Sequence, residues 1–105
     1  MSSMKKIFIS QPMGGKRDEE ILRERKALVA QAAAALGEDE IQALDSFFTD
    51  FAEETPPLVY LGRSLEVLAL ADAAIFASDW ETARGCRIEH DAAEAYGVPI
   101  VDWKG

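Results

Sequence analysis

The fold of this chain is decided by residues 73–91, which read AAIFASDWETARGCRIEHD. The first five of these residues form a short apolar run, which predicts a fully buried strand. A polar loop with a glycine follows, and a helix is predicted from about Arg84 to Tyr96, closed by Gly97. A strand, a polar loop and a helix that carries Glu89 near its start can together hold a small polar ligand.

The remaining elements are predicted from apolar periodicity and from glycine and proline boundaries. In the third helix, Ile88, Ala92 and Ala95 are expected to face inward, and in the second helix Leu58 and Leu68 belong to one apolar face. The predicted elements are a strand over 7–9, a helix capped by Asp18 and stopped by Gly37, a strand over 41–48, a helix over 58–71, the strand over 73–77, the helix over 84–96 and a strand over 98–101.

The alternation of strands and helices predicts one α/β domain over residues 1–105. We expect a compact flavodoxin-like or Rossmann-like three-layer sandwich around a four-stranded parallel sheet. Right-handed crossovers favour the strand order 2-1-3-4, which reverses between the first and third strands. Ligands of such sheets bind outside the carboxyl ends of the strands at the reversal, so loops 10–17 and 78–85 are expected to meet there.

The acidic composition of the chain argues against some classes of binding partner. The formal net charge is −8 and the pI is about 4.5, which argues against a duplex nucleic acid or an anionic membrane surface as partner. The chain has one cysteine and no long apolar run, and too few apolar residues follow the first lysines for a signal peptide, so we expect a cytoplasmic protein. A homodimer or higher homo-oligomer is expected because the core is small and edge strands need covering.

The first loop carries a candidate anion site. Gly14 and Gly15 can present backbone N–H groups to an anion, and Lys16 and Arg17 add positive charge. The alternative is a flexible turn with solvated basic ends, because the pattern matches neither known glycine-rich phosphate motif.

Glu89 is the candidate catalytic residue. It lies about one turn into the predicted helix, where the helix dipole favours an ionised carboxylate. Such a carboxylate is suited to attack, or to stabilise, an oxocarbenium-like sugar carbon. The alternative is a charge–dipole pairing without a catalytic role.

The residues around Glu89 allow functional and structural interpretations. Arg84 and Arg87 share a helix face and could clamp a carboxylate or phosphate, or they could be ordinary surface arginines. His90 is more typical of a surface histidine than of a general acid. Since Glu89, His90 and Asp91 point in diverging directions, no metal site is predicted.

The loop before the helix offers two further candidates. Asp79 is expected to end the third strand and could hold a sugar hydroxyl, or it could form a turn. Trp80 could stack on a base, or it could cover the core. Cys86 lies near a helix start and two arginines, yet no base partner is evident, so a small packed residue is the better interpretation.

Several motifs together resemble a known family. These are the ISQPMGG run from Ile9 to Gly15, the YLGRSLE run from Tyr60, the Ala71-Asp72 pair and the ARGCRIEH run from Ala83 to His90. They resemble small proteins with the DUF4406 domain, and more distantly the nucleoside 2-deoxyribosyltransferase superfamily, which includes deoxynucleoside 5′-monophosphate N-glycosidases. The resemblance to the small group covers nearly the whole chain.

The resemblance implies a reaction and a site. In these enzymes a glutamate four residues after a glycine attacks the anomeric carbon and releases the base, a spacing that Gly85 and Glu89 match. The Gly14-Gly15 loop resembles the part that binds a 5′-phosphate. The resemblance implies no cofactor and a nucleoside or nucleotide as small-molecule partner. With Asp79 as second catalytic candidate, the expected substrate-binding residues are Ser10, Gln11, Met13, Gly14, Gly15, Lys16, Ser64, Trp80, Arg84, Gly85, Arg87 and His90.

Two departures from the family pattern leave two hypotheses. Ser64 stands where the enzymes usually place an aspartate that handles the leaving base, and Ala83 stands where the transferases read the base with another aspartate. Asp79, His90 or Glu66 would have to replace the missing acid. The chain is therefore either an N-glycosidic bond hydrolase or deoxyribosyltransferase-like enzyme, or a non-catalytic module that binds a nucleotide or phosphorylated ligand.

Overall fold

The structure is a computed structural model that describes residues 5–12, 14–37, 41–44 and 56–101. Strands and helices alternate along the chain as the sequence predicts. In order they are β1 (Lys5–Ser10), α1 (Asp18–Leu36), β2 (Ile41–Ala43), α2 (Pro57–Leu68), β3 (Ala73–Phe76), a 3₁₀ turn (Trp80–Thr82), α3 (Arg84–Ala95) and β4 (Ile100–Val101).

The four strands form one parallel sheet in the order β2-β1-β3-β4. Strand β1 lies between β2 and β3, with Lys5 opposite Ile41 and Ile7 opposite Ala73. The predicted Rossmann-like α/β architecture and strand order are confirmed. The chain therefore adds β2 on one side of β1 and then β3 on the other side. This change of side between β1 and β3 is where a ligand crevice is expected in such sheets.

Helices cover both faces of the sheet, so the core has two layers. Ile7 and Ile9 of β1 pack with Leu28 and Ala32 of α1 on one face. Phe8, between them in sequence, packs on the opposite face in a cluster that includes Leu68 of α2 and Ala93 of α3. Because side chains alternate along a strand, Ser10 shares the face of Phe8 and is directed towards α2 and α3.

The inward face of α3 differs from the prediction. The buried residues are Cys86, Glu89 and Ala93, whereas Ile88 is 40% exposed and Ala95 is also exposed. The prediction placed Ile88 and Ala95 on the inward face. The protein tolerates the buried Glu89 because hydrogen-bond donors from other elements reach its carboxylate. The apolar pattern of one helix carries no information about such donors, so it could not predict this burial.

Two smaller expectations also need correction, and a third is tested only in part. Leu58 is 75% exposed at the start of α2, so the apolar face of this helix begins later than predicted. Arg17, and not Asp18, occupies the N-cap of α1, and no side chain caps it. Strand β2 ends at Ala43, and the rest of the predicted strand, 45–48, lies outside the described residues.

The predicted end of α1 is confirmed. Gly37 has φ +68°, the left-handed conformation that favours glycine, and its N–H bonds to the carbonyl of Ala34. Within the part of the chain that the structure describes, no helix is long and apolar enough to cross a membrane.

Candidate active site around Glu89

The Glu89 carboxylate is buried and hydrogen-bonded by serine hydroxyls. The residue is 8% exposed, and Ser10 Oγ donates to Glu89 Oε1 over 2.6 Å. The Ser64 hydroxyl is a second hydrogen-bond partner. Burial raises the pKa of Glu89, and the hydrogen bonds from Ser10 and Ser64 oppose this increase without cancelling it. The sequence suggested that the helix dipole favours the ionised form of Glu89, but burial has the larger effect and raises the pKa.

Three elements bring these groups together for local reasons. Ser10 ends β1 on the α3 face of the sheet. Ser64 lies one helical turn before buried Leu68, so α2 directs it inward. Glu89 lies three residues after Cys86 and four before Ala93, the other two buried residues of α3. Each of the three side chains therefore shares a face with buried residues of its own element, and the packing of the elements brings them together.

A cavity of about 590 Å³ opens above Glu89, between the starts of α2 and α3. Its walls are largely apolar, and Arg84 contributes a cation. Among the described residues that line it, Glu89 is the only carboxylate. The lining residues are Pro56, Pro57, Leu58, Tyr60, Leu61, Ser64, Arg84, Gly85, Ile88 and Glu89. Ile88, which is not a core residue, is therefore part of a cavity wall.

The two predicted loops meet at a second cluster, here called the loop junction: Gln11, Lys16, Glu24 and Asp79. Lys16 Nζ lies 3.1 Å from Asp79 Oδ2 and 3.3 Å from Glu24 Oε1. Gln11 Nε2 donates to Glu24 Oε1 over 2.9 Å and to the Ile21 carbonyl over 3.1 Å. Contact between Lys16 and Asp79 joins the loop after β1 to the loop after β3.

The charges of the loop junction limit its use as an anion site. Burial lowers the pKa of Lys16, but hydrogen bonds and charges from Asp79 and Glu24 outweigh it, so the pKa is raised overall. Two carboxylates beside one ammonium leave no excess positive charge. Gln11 Oε1 and Asp79 Oδ1 are buried without a hydrogen-bond partner among the described residues. These two atoms are acceptors, which suits a hydrogen-bond donor and not a phosphate.

Asp79 lies beyond the strand that it was expected to end. Strand β3 stops at Phe76, and the Asp79 carbonyl accepts hydrogen bonds from the hydroxyl and N–H of Thr82. These bonds close the turn before α3. The residue therefore shapes the turn and also holds Lys16, and it does not line the Glu89 cavity.

Trp80 and His90 contact each other. Their rings are stacked, with centroids 4.1 Å apart and planes 4° from parallel. Phe76 packs edge-on against His90 at 4.8 Å, and His90 Nδ1 lies 3.0 Å from Glu94 Oε1. Neither ring lines the Glu89 cavity, which agrees with the interpretation of Trp80 as a cover on the core.

Arg84 and Arg87 make different contacts. Arg84 lines the cavity, whereas Arg87 Nη1 donates to the Glu81 carbonyl over 2.9 Å. The two are therefore not observed as one clamp.

Burial raises the pKa of the Cys86 thiol to about 11, although a hydrogen bond with Ser10 opposes this. The nearby carboxylates of Glu89 and Asp79 contribute to this increase, and the charge of Lys16 opposes it. Cys86 is buried and packed, as the sequence suggested.

His90, Asp91 and Glu94 have potential ligand atoms within 4.8 Å of one another on α3. The pattern in the sequence suggested Glu89, His90 and Asp91 as the group to consider, and it did not include Glu94, four residues after His90. A histidine–glutamate pair one turn apart explains this grouping without an ion.

The predicted site residues therefore fall into separate groups. Glu89, Ser10, Ser64, Gly85 and Arg84 surround or support the cavity. Gln11, Lys16 and Asp79 form the loop junction, where Glu24 was missed because nothing local marks it as a partner. Gly14 and Gly15 are exposed and do not line the cavity, and Met13 lies outside the described residues. Comparison of the chain with protein-family models, curated proteins and solved structures finds no match.

Proposed function

We propose that this chain cleaves the N-glycosidic bond of a nucleoside or nucleotide, by hydrolysis or deoxyribosyl transfer, with Glu89 as nucleophile. The observation that carries the proposal is a buried carboxylate held by hydroxyls in a cavity with largely apolar walls. A poorly hydrated carboxylate interacts strongly with positive charge that develops on a sugar carbon. The apolar walls offer contacts to the base and sugar.

The proposed reaction has two steps. A Glu89 oxygen forms a bond to the anomeric carbon, while the carbon–nitrogen bond breaks and its electron pair leaves with the base, which takes up a proton. Water, or a second base, then attacks the same carbon and releases the Glu89 carboxylate. Hydrolysis yields free sugar and free base, and transfer yields a new nucleoside.

The described residues of the cavity include no second carboxylate that could protonate the leaving base. Asp79 is paired with Lys16, and Glu66 is exposed. We propose that water protonates the base. Because a positioned general acid contributes about 10²–10⁴-fold, the enzyme is expected to be slow by that factor.

A phosphate group, if the substrate carries one, is proposed to contact Arg84. The start of α3 has no side-chain cap and no acidic residue in its first turn, and Arg84 and Gly85 line the cavity. Free N–H groups at a helix start favour an anion. Lys16 is a weaker candidate because Asp79 and Glu24 already bind it.

The test is to incubate the protein with a panel of deoxynucleosides and their monophosphates and to measure the released free base by chromatography. Wild-type protein and the exposed-site control Glu19→Gln should release base, and Glu89→Gln should lose at least about 10²-fold in rate because the nucleophile is absent. No release by the wild type, or equal release by Glu89→Gln, would contradict the proposal.

The alternative proposal is a module that binds a nucleotide or phosphorylated ligand without cleaving it. Ser64 in place of a carboxylate favours it, since the described residues of the cavity then include one carboxylate, Glu89, and no second acidic group to protonate a leaving base. This proposal expects thermal stabilisation by a nucleotide, about 2.7 kcal/mol when the ligand is at a hundred times Kd, and no release of base. Absence of any shift across the panel would count against it.

We further propose that the chain acts as a homodimer in the cytoplasm. The sheet ends at two short edge strands, β2 and β4, and one cysteine suits a reducing compartment. Sedimentation velocity at micromolar concentration should give a dimer mass, and a monomer would contradict the dimer.

A further inference from the structure

Two hydroxyls from different elements meet one buried carboxylate. Ser10 ends β1 and donates to Glu89 Oε1, while Ser64 on α2 is buried, lines the same cavity as Glu89 and is a hydrogen-bond partner of its carboxyl group. We propose that Ser10 and Ser64 are positioning residues, which hold the Glu89 carboxylate in the orientation that attacks a substrate in the cavity. This inference rests on the proposed function and assigns Ser64 a role that is neither proton donation nor base recognition.

The backbone that carries Ser10 is fixed by its pairing with β3 and the residue that follows it. Residue Ser10 pairs with Phe76 across the β1–β3 ladder, and its carbonyl accepts a hydrogen bond from Ala77 over 2.9 Å. Its side chain is buried, at 2% exposure, and the 2.6 Å contact to Glu89 is in the range of a hydroxyl bound to an ionised carboxylate. A rigid donor on a central strand therefore determines where Glu89 Oε1 lies.

Hydroxyls suit this task better than cations. A carboxylate has about four acceptor positions, so two hydroxyl donors leave others open for bond formation. A lysine or arginine in their place would neutralise the charge that is proposed to attract the sugar carbon. Serines orient the group and leave its charge intact, which favours a reactive geometry in the bound complex.

Substitution to alanine tests the inference. Ser10→Ala and Ser64→Ala should each lower kcat for base release about 10–100-fold, the effect of losing one hydrogen bond to a charged group, with KM nearly unchanged. Each substitution also removes a contact that favours the ionised form, so the acid limb of the rate–pH profile should move to higher pH. Ser10→Thr and Ser64→Thr keep the hydroxyl and should restore most of the rate.

A second readout does not require turnover. In protein with ¹³C-labelled glutamate carboxyls, the Glu89 signal is assigned by its loss in Glu89→Gln. Its titration should move to higher pH in both alanine variants and return towards the wild type in the threonine variants. If Ser10→Ala does not fold, Ser64→Ala and the threonine variants decide the outcome alone.

The outcomes separate this inference from the proposed function. If the wild type releases base but the folded alanine variants keep its rate and pH profile, the positioning role is wrong and the function stands. If the wild type releases no base but the titration moves as expected, the serines hold Glu89 and the function is wrong. If the wild type releases no base and the Glu89 titration does not move in the alanine variants, both proposals are overturned.

Discussion

At the scale of single residues, Glu89 combines two opposing effects. Burial beside apolar side chains raises its pKa, while the two serine hydroxyls favour the ionised form. A buried carboxylate that is not fully compensated has a cost when it ionises, and this cost makes stability depend on pH. The same desolvation strengthens its interaction with a developing positive charge, so the destabilising feature and the proposed reactivity have one cause.

We expect Glu89→Gln to gain stability relative to the wild type as the pH rises. The folded-state pKa of Glu89 is raised, so the folded protein holds this proton more tightly than the unfolded chain and loses stability as the pH rises through the folded value. Glutamine cannot ionise, and its carbonyl still accepts the Ser10 hydroxyl. Urea unfolding from pH 4 to pH 8 measures the difference, and a gap that stays constant with pH would contradict the expectation.

Cys86 should be unreactive in the folded protein. Burial raises the pKa of its thiol to about 11, so very little thiolate is present at pH 7.5, and the side chain is buried. Iodoacetamide should therefore modify it far more slowly in buffer than in urea, which exposes the thiol. Equal rates in the two conditions would show that the thiol is accessible in the folded state.

At the scale of elements, the orientation of α3 determines the site, because its buried face carries the carboxylate of Glu89. The helix packs Ala93 against Phe8 and Phe76 and brings Glu89 to Ser10, while Ile88 is left at the cavity wall. A rotation that buried Ile88 would take Glu89 away from its donors. The orientation of this one helix therefore links core packing to the proposed chemistry.

Leucine substitutions on α3 distinguish this orientation from the one that periodicity suggested. Ala93 is 0% exposed, so Ala93→Leu should overpack the core and cost about 1–3 kcal/mol of unfolding free energy. Ala95 is exposed on the same helix, and Ala95→Leu should change stability by about 0.5 kcal/mol or less. Chemical denaturation measures both, and the reverse order of costs would support the predicted inward face at Ala95.

At the scale of the whole molecule, acidic groups exceed basic ones by eight, from 19 carboxylates and 11 Lys and Arg residues. Repulsion within such a chain opposes the compact state. The ion pairs of Lys16 at the loop junction are partly exposed, so they offset little of this repulsion.

Added sodium chloride should therefore stabilise the protein. Raising the ionic strength from about 0.05 M to 0.5 M shortens the screening length and weakens the net repulsion more than it weakens a few surface pairs. The urea midpoint at pH 7 should increase. Chloride is the better test salt, because sulfate also strengthens apolar burial. A decrease in the midpoint would show that attractive pairs dominate.

The candidate site was predictable in part. The position of Glu89 on a helix after a glycine loop, and the meeting of the loops after β1 and β3, follow from local pattern and sheet topology. The division into a Glu89 cavity and a loop junction does not, because Lys16 and Asp79 bind each other through side chains that no periodicity relates. Glu24 of the loop junction was not predicted either, because it also contacts Gln11 and Lys16 through its side chain.

The sequence by itself determined the parallel sheet, its order β2-β1-β3-β4 and the helix end at Gly37, because apolar runs, glycine conformation and crossover handedness are local or chiral properties. Only the tertiary structure decided which side of α3 is buried and what holds Glu89. Ser10 lies 79 residues before Glu89 in the chain, and their hydrogen bond depends on how three elements pack. A contact of that kind is set by the balance of burial and hydrogen bonding across the assembled core, which no single segment contains.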